Sequence, residues 1–415
     1  MSDGAVLQGC LARAGYELAD SIASADVVIL NTCAVKGPTE NRMIEISKRV
    51  PRVKKLIITG CLPLVNYERL QKEVPFNGIV GPAAGEKIVQ IVKRVSNGET
   101  VIALQKAADD LPSLSLPRVQ SNPVTSIVPI NYGCLGSCAY CCVVFARGPL
   151  RSYEVQDIVK RVKEDLDSGL REFWITSQDT ACYGRDNGTN LANLLRALCG
   201  IKEDFRVRVG MMTPNNVLDM LDELVQAFHD DRIFKFIHLP VQSGDDEVLK
   251  RMRRFYRVED FKRAVEAFRR SFPDITLATD VICGFPGETQ EDFGRTLELI
   301  EEVKPDVVNV SKFFARPKTA AAAMKDSVPL SEIKARSVMA SALAKKLSFE
   351  KNQRWIGWTG KVLVDEVGKV PGSWVGRNLA YKPVAVKSTS KLAGKFIHTR
   401  ITEAFPTYLK GAIVQ

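Results

Sequence analysis

The sequence predicts an α/β protein in three parts: an open parallel sheet, a partial (β/α)6 barrel and a small all-β barrel. Three observations carry this. Short β-branched strands alternate with helical patterns through residues 1–105. The same strand-then-helix beat repeats six times through residues 123–349. Residues 352–415 read instead as short β-type runs separated by Gly and Pro. At 415 residues the chain is also too long for one core.

In the first part, Ala25–Leu30 and Lys55–Thr59 read as buried parallel strands, being short, apolar and β-branched. Gly78–Val80 reads as a further strand and Gly85–Arg94 as a helix. Residues 106–122, rich in Leu, Ser and Pro, form a linker. The barrel strands are expected at Ser126–Asn131, Glu172–Thr176, Arg206–Met211, Lys235–Leu239, Thr276–Val281 and Val307–Phe313. Helical patterns such as Glu154–Ser168 and Val258–Ser271 fill the gaps. In barrels of this kind, chemistry sits at the C-terminal ends of the strands. The last part shows β-type runs at Lys361–Glu366, Pro383–Val386 and Phe396–Glu403.

No run of 18 apolar residues and no basic-then-apolar leader is present, which predicts a cytoplasmic protein without a membrane span. In that compartment clustered cysteines bind metal or catalyse rather than form disulfides. The formal charge is +10. From Asn352 onward ten Lys and Arg face three acids. Such a basic module suits either a polyanion partner, most simply nucleic acid, or a solvated face.

The strongest signal is Gly133-Cys134-Leu-Gly-Ser-Cys138-Ala-Tyr-Cys141, a C-x3-C-x2-C loop directly after the first barrel strand. Three thiolates on a loop containing Gly136 can wrap one face of an iron–sulfur cube and leave one iron open, where four thiolates would close it. Structural zinc wants four ligands, and no His lies near this loop. Three structural cysteines remain the bland alternative. Cys142, adjacent to Cys141, reads as a buried small hydrophobe.

This loop after the first strand of a (β/α) barrel, with an aromatic before the last Cys, resembles the radical S-adenosylmethionine (SAM) superfamily. The resemblance implies that Cys134, Cys138 and Cys141 hold three irons of a 4Fe–4S cluster. SAM would chelate the fourth, and reductive cleavage would give a 5′-deoxyadenosyl radical. Tyr140 would lie against the adenine, or simply pack.

Cys33 and Cys61 each end an apolar strand, VVILNTC and KLIITGC. Parallel neighbours bring such ends side by side, where open α/β sheets carry their sites; buried structural thiols are the alternative. The words Asn31-Thr-Cys33-Ala-Val-Lys36, Pro38-Thr39-Glu40 and Thr59-Gly60-Cys61 resemble the N-terminal domain of the methylthiotransferases. That subfamily carries a second 4Fe–4S cluster here, and the resemblance makes Cys33 and Cys61 two of its three ligands. The family's first ligand, in a Gly-Cys-x-x-Asn loop after strand one, is missing. Ser2-Asp3 open the chain, so a start upstream of the recorded one is expected. Cys10 does not take that place: it shares a helix face with Leu7, Leu11 and Ala14 and reads as core.

Gln178-Asp179 follows the second barrel strand, His238-Leu-Pro-Val-Gln242-Ser243-Gly244 the fourth, and Thr279-Asp280 through Gly284-Phe-Pro-Gly-Glu288-Thr289 the fifth. Polar groups at successive strand ends converge on one mouth. These words resemble the same family, which implies that Gln178, Gln242 and Ser243 lie near SAM or substrate. Structural hydrogen bonding is the equal alternative for each. The run Lys250-Arg-Met-Arg253-Arg254 meets RNA phosphate or forms a solvated face. Cys182, Cys199 and Cys283 lack partners at ligand spacing and read as structural.

Gly360-Lys-Val-Leu-Val-Asp-Glu and the tail Ile401–Gly411 resemble a TRAM domain, a small RNA-binding β-barrel. Trp374, Tyr381 and Phe396, interspersed with cations, suit base stacking, with core packing the alternative for Trp374 and Phe396. The whole resemblance implies a transferase that adds a methylthio group to C2 of an adenine, using two SAM molecules, two clusters, a reductant protein and a sulfur donor. No acid–base pair is evident. Val35–Glu40 and Tyr408-Leu-Lys-Gly411 look most like the archaeal and eukaryotic branch acting on N6-threonylcarbamoyladenosine at position 37, in the tRNA anticodon stem-loop. Isopentenyladenosine tRNA, a ribosomal-protein aspartate, and an RNA-binding, SAM-cleaving protein with an incomplete second cluster are the alternatives.

Overall fold

The structure, a computed structural model, describes residues 2–104 and 111–414. Residues 106–110 of the expected linker lie outside the described residues. The chain forms two compact units. One comprises Met1–Ser121, Asn131–Arg151 and Phe314–Ala323; the other comprises Asn122–Ile130, Ser152–Phe313 and Met324–Gln415. The three-cysteine loop therefore belongs to the same unit as the N-terminal sheet.

That first unit is built on four parallel strands in the order Val27–Thr32, Lys55–Gly60, Gly78–Val80, Val101–Ala103. The last strand was not foreseen; three residues carry too little period to stand out. Alternation along the second strand sends neighbours to opposite faces. Ile57 packs among Leu7, Leu11, Ile88 and Val95, and Ile58 among Ile44, Leu62 and Leu70. Each side chain so buried contributes roughly 2 kcal/mol. The helix Ser2–Arg13 buries Leu7, Cys10 and Leu11, so Cys10 is core, as its helical spacing predicts.

The second unit holds six parallel strands as two triplets: Thr125–Pro129, Glu172–Thr176, Arg206–Val209, and Phe236–His238, Thr276–Cys283, Val307–Lys312. Single bridges Val207–Ile233 and Met211–His238 join the triplets, giving the expected partial barrel. Side-chain alternation divides inside from outside. Phe173, Ile175, Val207, Val209, Ile237 and Leu277 are sealed under the helices. Glu172, Trp174, Arg208, Phe236, His238 and Asp280 occupy the other face, the barrel interior.

Residues Thr359–Ile413 close a five-stranded barrel around Val362, Val364, Val384, Ile401 and Leu409. Two of its strands, Ser373–Asn378 and Leu409–Ile413, escaped sequence reading because Gly and Asn or Lys interrupt their alternation.

Candidate metal centre and barrel mouth

Cys33 and Cys61 sit at the C-terminal ends of paired strands whose register matches Thr32 to Gly60. The Cys61 amide donates to the Thr32 carbonyl at 2.9 Å. Gly60, at φ +94, makes this approach possible: a Cβ there would lie 2.2 Å from the Thr32 oxygen. Cys33 is exposed and Cys61 half-buried. Burial pushes the Cys61 thiol up, a hydrogen bond from the Arg147 guanidinium pulls it back, and Cys33 and Asp3 add to the rise.

Arg147 was not singled out from the sequence. It lies 2.7 Å from the Asp3 carboxylate, which also accepts from the Tyr132 hydroxyl at 2.7 Å. Burial works against the charge on Arg147, but Asp3 and Cys61 more than offset it and hold its pKa above the ordinary arginine value. Burial likewise opposes the Asp3 charge, yet Arg147 and Tyr132 keep that carboxyl below its usual range. The signal was faint: one Arg six residues after Cys141, one Asp at the chain start.

The three-cysteine loop has a pinned neck. Gly133 (φ +74) runs against Pro149 so closely that a Cβ would fall 1.8 Å from the Pro149 oxygen. Ala321 donates to the Ala139 carbonyl at 2.8 Å and fastens the loop to the 314–323 segment. A Cβ on Gly136 would contact the Cys134 sulfur at 3.3 Å and the Cys138 sulfur at 3.7 Å, so both sulfurs lie on one side of that glycine. Two amides point at sulfur: Gly136 to Cys134 at 3.2 Å and Val143 to Cys141 at 3.5 Å. Burial pushes the Cys141 thiol up to about 12, with Cys138, Cys142 and Cys134 contributing. Among the described residues no three His, Cys, Asp or Glu side chains already close on a metal. The donor chemistry nonetheless suits an iron–sulfur cluster: three thiols on one loop, two with N–H donors of the kind that stabilise cluster sulfur. Cys142 is buried, and its thiol donates to the Ala34 carbonyl at 3.4 Å. Tyr140 is half-buried in the same loop. All three nitrogens of Arg151, in this unit, are buried without an acceptor among the described residues, a place an anion would suit.

In the other unit, Gln178 stands beyond the second barrel strand with its Oε1 buried and without a partner among the described residues, as is the neighbouring Ser177 Oγ. Such orphaned atoms at a strand end match a polar ligand. Gln242 is held at φ +73 by its amide bond to the Asp280 carbonyl at 2.8 Å. Ser243 is fully buried; its hydroxyl accepts from the Asp245 amide at 3.2 Å and so braces the turn. Asp280 accepts from His238 Nε2 at 2.8 Å and from Asn309 Nδ2 at 2.7 Å. No acid–base pair is evident along the sequence; the fold assembles this carboxylate–imidazole pair from residues 42 apart on two strands. Cys182 and Cys283 are buried and Cys199 half-buried.

The C-terminal barrel corrects the stacking expectation. Tyr381 faces the other way, against Phe234 and Phe236, with its hydroxyl 3.3 Å from Glu172. Phe396 is covered by the Arg206 guanidinium at 4.6 Å, and Trp374 packs on the barrel core. Two of the counted cations are also committed: Lys382 pairs with Asp306 at 2.7 Å and Arg377 with Asp365 at 3.0 Å, both largely buried. No described helix is long and apolar enough to cross a membrane.

Three family models match the chain. The Radical SAM superfamily model matches residues 128–300, that of an uncharacterized protein family (UPF0004) residues 1–81, and that of the TRAM domain residues 353–414. A "Probable threonylcarbamoyladenosine tRNA methylthiotransferase" of Pyrococcus horikoshii is 41% identical over all of this chain and 96% of the relative. The human "Threonylcarbamoyladenosine tRNA methylthiotransferase" is 37% identical over 99% of this chain and 71% of its own length. Among solved structures, the radical S-adenosylmethionine methyltransferase TsrM of Kitasatospora setae, with cobalamin and a 4Fe–4S cluster bound, has a TM-score of 0.57. It is 14% identical over 90% of this chain and 74% of that one, a likeness of fold alone.

Proposed function

This chain belongs to the threonylcarbamoyladenosine tRNA methylthiotransferase family, and we propose that it adds a methylthio group to C2 of N6-threonylcarbamoyladenosine at position 37 of tRNA. The observation that carries the reading is the pinned loop with Cys134, Cys138 and Cys141 on a chain similar to these transferases along its whole length.

Cys134, Cys138 and Cys141 would hold one 4Fe–4S cluster, and Cys33 and Cys61 would supply two ligands of a second. With SAM bound, the first cluster would supply the electron for reductive cleavage of the SAM S–C bond, the chemistry that yields a radical able to take hydrogen from carbon. The chain's own residues do the rest. The Gly136 and Val143 amides donate to sulfur and steady the anionic thiolates. Arg147, itself fixed by Asp3, gives Cys61 a cationic neighbour. Gln178 and Ser177 offer unpartnered oxygens to a polar ligand, and Arg151 offers a guanidinium to an anion. Asp280 orients His238 inside the barrel. A cytoplasmic setting, a reductant protein and a sulfur donor complete the proposal.

Mass spectrometry of tRNA nucleosides from cells lacking the gene tests it. Loss of the methylthio derivative with accumulation of threonylcarbamoyladenosine is expected. An unchanged methylthio level, with no second such enzyme present, contradicts it.

A further inference from the structure

We propose that the segment 253–257 is an RNA-binding surface: one unpaired base of the tRNA stacks on Phe255 while Arg253 and Arg257 meet neighbouring phosphates. This rests on the tRNA reading above.

The ring is presented, not merely uncovered. Phe255 is 73% exposed, whereas the next most exposed Phe, Tyr or Trp side chains among the described residues, Phe145 and Phe349, reach 39%. Its neighbours alternate. Arg253, Phe255 and Arg257 are exposed, Arg254 is half-buried and Tyr256 is buried. The buried pair anchors the segment. The Tyr256 hydroxyl is 3.0 Å from the Pro240 carbonyl and 2.8 Å from that of Val241. Arg254 Nε donates to the Tyr256 oxygen at 3.0 Å, and its guanidinium lies 5.0 Å from the Tyr256 ring centre. Arg253 holds φ +56, a left-handed conformation that non-glycine residues rarely keep without such anchoring.

The anchor points place this stage. Pro240 and Val241 lead directly into Gln242, beyond the C-terminal end of the strand Phe236–His238. The stage is thus tied to the end of the barrel where a substrate base would enter.

Charge selects the partner. Of the nearby acids, Asp246 accepts from the Val258 amide at 2.8 Å, Asp260 accepts from the Arg257 amide at 3.0 Å and pairs with Arg263 at 3.4 Å, Glu247 pairs with Lys250 at 3.4 Å, and Glu259 is exposed. Neither Arg253 nor Arg257 pairs with a carboxylate among the described residues. A ring flanked by two uncommitted guanidiniums matches a single-stranded loop, whose bases stack and whose phosphates attract cations. The C-terminal barrel does not supply that stacking through Tyr381 or Phe396, which are engaged elsewhere.

The test is binding of a fluorescein-labelled anticodon stem-loop RNA to the full chain, read by anisotropy and independent of cluster loading. F255A should weaken binding about tenfold and F255W should restore it. R253Q/R257Q should flatten the dependence of log affinity on log salt by about 0.7 for each phosphate no longer neutralised. Equal melting temperatures of the variants establish that they are folded. Variants that bind and respond to salt like wild type overturn the inference. So does Phe255-dependent binding of an acidic polypeptide with unaltered RNA binding. A wild-type chain that binds no stem-loop instead removes the tRNA reading itself.

Discussion

The Asp3 carboxylate stands 2.7 Å from the Arg147 guanidinium, whose charge also pulls the Cys61 thiol down against its burial. The chain's first helix and the helix following the three-cysteine loop thus meet at one of the strand-end thiols. Removing Asp3 leaves a largely buried cation without its partner. D3N should cost about 3 kcal/mol in urea unfolding, whereas the double variant D3N/R147M should recover most of that. A D3N chain as stable as wild type would show that the pair does not hold this corner.

Glu288, from the Gly-Phe-Pro-Gly-Glu word, plays a structural part. It accepts from the Gly284 amide at 2.6 Å and pairs with Arg336 at 2.8 Å, both ion partners fully sheltered. E288A should destabilise the barrel by about 3–5 kcal/mol, measured by thermal or urea unfolding. A loss of activity at unchanged stability would contradict this and place Glu288 at the ligand.

A pH effect is expected at the junction of the barrel and the C-terminal module. Burial, reinforced by Asp365, raises the Glu172 carboxyl well above the ordinary carboxylate range. A folded pKa raised above the unfolded one contributes stability that is full below the unfolded value and is lost as pH rises through the folded value. Wild-type unfolding free energy should therefore fall between about pH 4.5 and neutrality. E172Q should flatten that slope, and an unaltered slope would assign it elsewhere.

Much of this was legible beforehand because periodicity survives translation into structure. Val258–Ser271 was bounded to the residue, and Cys10 betrayed its core position by sharing a face with Leu7 and Leu11. What escaped depended on long-range geometry. Nothing local tells Tyr381 to turn toward Phe236 rather than solvent, or Asp280 to find His238. A three-residue strand such as Val101–Ala103 is fixed by its neighbour, not by its own pattern.

The barrel interior offers one more measurable consequence. The Arg208 guanidinium lies within 4.8–5.5 Å of the rings of Trp174, Phe236 and Tyr381. Y381A strips one ring and the Glu172 hydrogen bond together, and should lower the melting temperature by several degrees, about 2–3 kcal/mol. Y381F keeps the ring and should cost only about 1 kcal/mol.

The most direct measurement is iron content and the visible spectrum after anaerobic reconstitution, comparing wild type with C134A/C138A/C141A and with C33A/C61A. The first set should remove about four irons and the second the irons of the proposed N-terminal cluster, each leaving the other's absorption in place. A wild-type chain without a cluster spectrum, or a spectrum unchanged after Cys134, Cys138 and Cys141 are replaced on a background lacking Cys33 and Cys61, would contradict the account.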